Sequence, residues 1–267
     1  MKRTIIVSNR TGGQGKTLTA SMIALGHQLG GETLGLVAVD TVNEGATSKL
    51  GKLHSDVLEF RIGAGLADIK KNSAAALAHW DKLGALLLQG GVLLDLGANV
   101  VHALWEWAAA RNASQVFVRR AAPPICLVVP ARAQSQAIED AVTLLRLSFD
   151  DEHILPIAER VLILNEAGGG FEKFGTNEDF KTLHAMKKKG LKIIRMPRCT
   201  SEIWAQTERL NIGLAEAIQF APEVIEERFG LDPFAASGAL ADLLGWTKES
   251  LDELARAGLV PHIVEAQ

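Results

Sequence analysis

Short runs of β-branched and aliphatic residues alternate along this chain with longer stretches of helical composition. The runs predict strands at Thr4 to Ser8, Leu34 to Val39, Val92 to Leu96, Gln115 to Val118, Ile125 to Val129, Val161 to Leu164 and Ile193 to Met196. Helices are expected at Leu18 to Leu29, Val100 to Ala110, Ser135 to Leu147, Asp179 to Lys188 and Ser201 to Phe220. Strands that are apolar throughout are buried on both faces, and their alternation with helices predicts a mainly parallel, doubly wound α/β sheet with helices on both sides. Ligands in such sheets bind beyond the carboxyl ends of the strands. No internal repeat or low-complexity tract interrupts the pattern. The expected division is a domain over 1–220 followed by a C-terminal helical appendage over 221–267. In the latter, Glu223 to Arg228 and Lys248 to Arg256 have helix-forming composition, broken by Gly230, Pro233, Gly238 and Gly245.

The run Asn9-Arg10-Thr11-Gly12-Gly13-Gln14-Gly15-Lys16-Thr17 falls between the first predicted strand and the helix that opens at Leu18. A phosphate-binding loop occupies this strand-to-helix position in P-loop NTPases. Glycines let backbone N–H groups turn inward around a phosphate, and the helix N-terminus adds its positive dipole end. Lys16 would reach the terminal phosphates and the Thr17 hydroxyl would hold Mg²⁺. The ordinary motif places glycine six residues before the lysine, where this chain has Arg10, and the Gly12-Gly13 pair marks a deviant form. The competing reading is a glycine-rich turn with no ligand. Asp95, after Gly91-Val92-Leu93-Leu94, ends an apolar strand in an acid, the form of a Walker B segment whose carboxylate holds the Mg²⁺ shell. Gly97, just beyond it, offers a backbone that can approach a terminal phosphate and move when it leaves.

With these residues the chain resembles the ParA/MinD family of P-loop ATPases, whose loop reads Lys-Gly-Gly-x-Gly-Lys-Thr. The resemblance implies a cytoplasmic, Mg·ATP-dependent ATPase that hydrolyses ATP to ADP and phosphate and acts as a homodimer formed through ATP. In the family the leading lysine crosses the dimer to the partner's nucleotide; Thr11 stands there in this chain, with Arg10 one residue earlier as the candidate replacement. Asp40 lies twenty-four residues after Lys16, where the family has the second acid of an Asp-x-Asp motif that orients the attacking water. The first acid of that motif is replaced by Ala38. The resemblance also implies that Asn165 reads the adenine edge, that Pro197 and Arg198 close over the base, and that Leu18 follows the loop into the site. Turn chemistry is the competing reading for Asn165 and Pro197, and a strand-end cap is the competing reading for Asp40. Within the family, Asp40-Thr41-Val42-Asn43-Glu44-Gly45-Ala46-Thr47 and Asp95-Leu96-Gly97-Ala98-Asn99 look most like plasmid conjugation and stability ATPases of the TraL/StbB type. That subgroup implies a role in plasmid partition, stability or transfer, or in positioning another cargo, with an unidentified protein partner that reads the segment Ala46 to Gln89. Thr11 and Ala38 also suit a nucleotide-binding scaffold with little hydrolysis, and a synthetase similar to dethiobiotin synthetase is a further alternative on the same fold.

Composition narrows this picture without redirecting it. The 267 residues, 48% apolar and 22% charged, are ordinary for a soluble globular protein. A formal net charge of −3 provides no global basic field, so nonspecific DNA contact would need a local patch. Lys187-Lys188-Lys189 with Lys192 is the densest, read either as a solvated helix end or as a phosphate-contacting surface. Cys126 and Cys199 lack metal-type spacing and are expected as reduced thiols, and the seven histidines form no ligand pattern. Trp80, Trp105, Trp107, Trp204 and Trp246 are expected in core or dimer packing. No apolar run has membrane-spanning length, the short lead into the first strand leads us to expect no signal peptide, and the C-terminal helices lack the basic face that would recruit a membrane.

Overall fold

In the computed structural model, which describes residues 3–40, 47–61, 73–98 and 100–262, the run Thr4-Ile5-Ile6-Val7 forms strand β1 (Thr4–Val7) and is buried along its whole length. It pairs with β4 (Val92–Leu96) on one side and β5 (Ile125–Arg132) on the other. Beyond β4 lie β2 (Gly35–Asp40) and β3 (Val57–Arg61), and beyond β5 lie β6 (Ile157–Asn165) and β7 (Lys192–Met196). The sheet has seven strands in the order β3-β2-β4-β1-β5-β6-β7, every pair parallel.

Alternate residues of β1 feed opposite cores, because successive strand side chains point to opposite faces. Ile6 joins the cluster that includes α3 (Ser73–Gln89), α4 (Val101–Ala110), α5 (Ala113–Arg119), α6 (Ser135–Asp150) and α7 (Glu178–Ala185). Ile5 and Val7 join the other, with α1 (Lys16–Leu29), α2 (Lys49–Leu53), α9 (Leu214–Ala217), α10 (Pro222–Phe229) and α11 (Pro233–Arg256). Helices therefore cover both faces, as the apolar strands predict. The chain leaves β1 at the point where the sheet is extended in two directions, the switch point at which α/β sheets bind ligands.

Several segments differ from the sequence expectation. Residues 115–118, expected as a strand, belong to helix α5: Asn112 at φ 50 starts a new helix, Ala113 and Phe117 are buried one turn apart, and Val118 is 73% exposed. The single helix expected over Ser201 to Phe220 is split into α8 (Trp204–Arg209) and α9 by Asn211 at φ 53 and the extended Gly213. β3, α2 and α3 were not anticipated. β3 is an edge strand whose Glu59 and Arg61 interrupt its apolar run, whereas α3 buries Trp80, Leu83 and Leu87 at helical spacing. Finally, α11 runs for 24 residues straight through Gly238 and Gly245. Both glycines are exposed while Ala236, Ala239, Leu243 and Trp246 keep one stripe buried, and Asp232 caps the helix by accepting from the amides of Phe234 and Ala235 at 2.9 and 3.0 Å.

The tryptophans follow this packing: Trp80, Trp105, Trp107 and Trp246 are buried, and Trp246 donates its indole N–H to the Pro197 carbonyl at 2.8 Å. Cys126 and Cys199 are free thiols, and burial pushes Cys126 up to about 12. No helix among the described residues is long and apolar enough to cross a membrane.

Candidate functional site

The chain between β1 and α1 wraps into a loop held from behind. Buried Asn9 donates from Nδ2 to the Pro130 carbonyl at 2.8 Å, and buried Gln14 accepts at Oε1 from the Arg132 amide at 2.9 Å while donating from Nε2 to the Gly12 carbonyl at 3.1 Å. Asn165, at the end of β6, donates from Nδ2 to the Gln14 carbonyl at 3.0 Å and accepts at Oδ1 from the Ala167 amide at 3.0 Å. Gly15 adopts φ 90 and ψ 22 as it turns into α1, and a Cβ there would collide with the Asn165 amide. Only glycine satisfies both demands.

Helix α1 begins at Lys16, and Gly12, Gly13, Gly15, Lys16, Thr17 and Leu18 line one wall of a cleft of about 790 Å³. Thr17 donates from Oγ1 to Asp95 Oδ2 at 2.7 Å, and Lys16 Nζ donates to the Thr11 carbonyl at 2.9 Å. Asp95 is placed by the register of β4, with Val7 of β1 on one side and Ala38 of β2 on the other. Ala38 therefore sits beside the carboxylate-bearing position, where a second acid would have opposed Asp95 directly. Burial pushes Asp95 up to about 6, against the Thr17 hydrogen bond and the Lys16 charge. Burial likewise pulls Lys16 below the usual lysine range, opposed by the Asp95 and Asp40 carboxylates. Asp40 ends β2 and lines the cleft; a Cβ on Gly97 would lie 2.5 Å from its Oδ1, so the turn after β4 and Asp40 are fitted to each other. The Gly97 amide donates to the Val39 carbonyl at 2.8 Å, which fixes that turn.

A hydroxyl bonded to a carboxylate at the N-terminus of a helix is a donor set that suits Mg²⁺, which takes few protein oxygens and completes its shell with waters and phosphate. Among the described residues no cluster of three or more His, Cys, Asp or Glu forms an all-protein metal site. Cations also gather around the cleft: Lys49, Lys52, Arg132 and Arg209 join Lys16, against Asp40, Asp95 and Glu208. Arg132 approaches the Gly13 carbonyl at 3.5 Å, and its Nε is buried without a partner among the described residues, a donor that could meet an anion.

The structure thus brings together Gly12, Gly13, Gly15, Lys16, Thr17, Leu18, Asp40, Asp95 and Asn165. Gln14 lies behind the loop as its brace. Arg10 and Thr11 do not line the cleft: Arg10 is half-buried without a hydrogen bond or ion pair among the described residues, and the Thr11 hydroxyl bonds Asp140 on α6. Pro197 and Arg198 do not line it either, since the Pro197 carbonyl is taken by Trp246 and Arg198 is exposed. Of the basic patch, Lys192 is committed to Glu159 at 2.8 Å and the Ala257 carbonyl at 2.9 Å, while Lys187, Lys188 and Lys189 are exposed. Residues 41–46 and Asn99, which contribute to the subgroup resemblance, lie outside the described residues. Arg132, Lys49, Lys52 and the wall at Trp204, Glu208 and Arg209 were not anticipated; the one sequence cue was the position of Arg132 at the end of an apolar strand.

No family model matches the sequence, and no curated protein matches it. Among solved structures the chain is similar to the ATP complex of McdA(D38A) from Cyanothece, with 16% identity over 94% of this chain and 96% of that chain and a TM-score of 0.47. It is also similar to a ParA family ATPase from Chlorobium tepidum TLS, with 16% identity over 91% of this chain and 98% of that one and a TM-score of 0.46. A third is MinD in the MinC:MinD cell division complex of Aquifex aeolicus, with 15% identity over 94% of this chain and 96% of that one and a TM-score of 0.46. The strand order, the two helical layers and the loop at the switch point themselves define the fold: a doubly wound α/β sheet of the P-loop NTPase type.

Proposed function

We propose that this chain is a Mg·ATP-dependent ATPase that works as a nucleotide-gated switch of the ParA/MinD kind. The observation that carries the reading is the pairing of Thr17 with Asp95 at 2.7 Å in a cleft that also holds Lys16 and Asp40. In this reading the glycine loop and the first turn of α1 bind the phosphates through backbone N–H groups. Lys16 exchanges its bond to the Thr11 carbonyl for a charge-assisted one to a phosphate oxygen. Thr17 and Asp95 hold Mg²⁺, which neutralises phosphate charge when bound. Asp40, across from the loop at the Gly97 turn, orients a water toward the terminal phosphate; it positions the water, which suits phosphoryl transfer. Asn165 braces the loop and presents the rest of its amide to the base.

The finer role follows from the resemblance of the segments around Asp40 and Asp95. We infer a cytoplasmic homodimer formed through ATP, acting with a protein partner in plasmid partition, stability or conjugative transfer, or in positioning another cargo. Exposed Lys187, Lys188 and Lys189 are the candidate contacts to DNA phosphates. The test separates binding from hydrolysis: Asp40→Ala should bind Mg·ATP like the native chain and turn it over about a hundredfold more slowly. Unchanged turnover would remove Asp40 from the reaction.

A further inference from the structure

The loop offers only one cation, Lys16, to the terminal phosphates, because Thr11 is fastened to Asp140 and Arg10 does not line the cleft. A second cation stands on the facing wall. Lys49 opens α2 and lines the same cleft as Lys16, Thr17, Asp40 and Asp95. It makes no hydrogen bond or ion pair among the described residues, although its charge acts on both Lys16 and Asp95, where burial is the larger influence.

The short helix that carries Lys49 is fixed by side chains other than the lysine, which has no hydrogen bond or ion pair among the described residues. Ser48 caps it, accepting at Oγ from the Gly51 amide at 2.9 Å. The acid next to this turn, Glu59 of β3, accepts from the Ser48 amide at 3.1 Å and the Ser48 hydroxyl at 2.7 Å through Oε1. Glu59 thus stabilises the turn. Leu50, next to the lysine, is fully buried, and at the other end the Leu53 carbonyl abuts Gly213, where a Cβ would lie 2.8 Å away. Lys49 is therefore a cation on an anchored element, facing a like charge across a cleft, an arrangement that favours an anion between them.

We propose that Lys49 contacts the terminal phosphate of ATP in cis, so that the chain tells triphosphate from diphosphate within a single protomer. The proposal rests on the ATP reading above. A preorganised cation aimed at the terminal phosphate binds ATP more strongly than ADP, and it supplies from the same chain the charge that other phosphoryl-transfer enzymes take from a partner.

Calorimetric titration with Mg·ADP and with a nonhydrolysable Mg·ATP analogue tests it. Lys49→Ala should weaken the analogue about tenfold to a hundredfold and change ADP affinity by less than about twofold, and Lys49→Arg should keep most of the preference. Equal losses for both nucleotides, or no loss, would overturn the proposal while leaving the ATP reading intact. Failure of the native chain to bind either nucleotide would overturn the ATP reading and this proposal with it. An equimolar mixture of Lys49→Ala with Lys16→Ala should bind the analogue no better than Lys49→Ala alone. Recovery of tight sites in the mixture would place Lys49 in the partner's site and overturn action in cis.

Discussion

The Asn165 side chain donates to the Gln14 carbonyl at 3.0 Å and lies where a Cβ on Gly15 would have to go, so the end of β6 and the glycine loop are built as one unit. Removing the amide in Asn165→Ala leaves the buried Gln14 carbonyl without its partner, at a cost of about 1–3 kcal/mol, and releases the exposed Ala167 amide to water. The loop should loosen, and affinity for ATP and GTP should fall together, with a lower melting temperature. A loss confined to ATP would instead assign Asn165 chiefly to reading adenine.

The dimer question turns on Arg10. It stands beside the position of the family's dimer-spanning lysine, half-buried and without a hydrogen bond or ion pair among the described residues. If it crosses to a partner's phosphates, Arg10→Ala should abolish ATP-dependent dimerisation while monomer affinity for ADP stays within about twofold, since the loss of an interfacial charge contact acts on association. Sedimentation with a nonhydrolysable ATP analogue measures this. Equal dimer fractions in the native chain and the variant would exclude Arg10.

The glycines of α11 give a prediction independent of function. Gly238 and Gly245 are exposed in a helix interior, and a Cβ at either would meet nothing within 4 Å. Gly238→Ala and Gly245→Ala should each stabilise the fold by about 0.5–1 kcal/mol, because alanine costs less backbone entropy than glycine to hold in a helix. Denaturant unfolding measures the gain; a loss of stability in either variant would contradict the continuous helix.

These glycines also show where the sequence was hard to read. In a local reading Gly238 and Gly245 are breaks, but the buried stripe from Ala236 to Leu254 rests on tertiary contacts that override propensity. Val116 and Val118 raised the β-branched content of 115–118, yet the buried residues are Ala113 and Phe117, one helical turn apart. What was legible was local or closed a strand. The glycine loop sits between an apolar run and a helix, and Asp40 and Asp95 each end an apolar strand. Lys49, Arg132 and Arg209 reach the cleft only through the order of the strands and the packing of short helices, which leaves no local motif. Thr11 was legible as a departure, but its bond to Asp140, 129 residues away, was not.

The proposed function requires that the loop ending at Lys16 and Thr17 bind the phosphates of Mg·ATP. Among the described residues Lys16 donates to the Thr11 carbonyl at 2.9 Å and to no carboxylate, so Lys16→Ala removes the loop's cation without stripping a buried carboxylate of its hydrogen bond, and the fold should survive. Titration calorimetry of the native chain and Lys16→Ala with Mg·ATP is the most direct test. Tight binding is expected of the native chain, and an affinity at least about a hundredfold weaker of the variant. Native affinity retained in Lys16→Ala would contradict it.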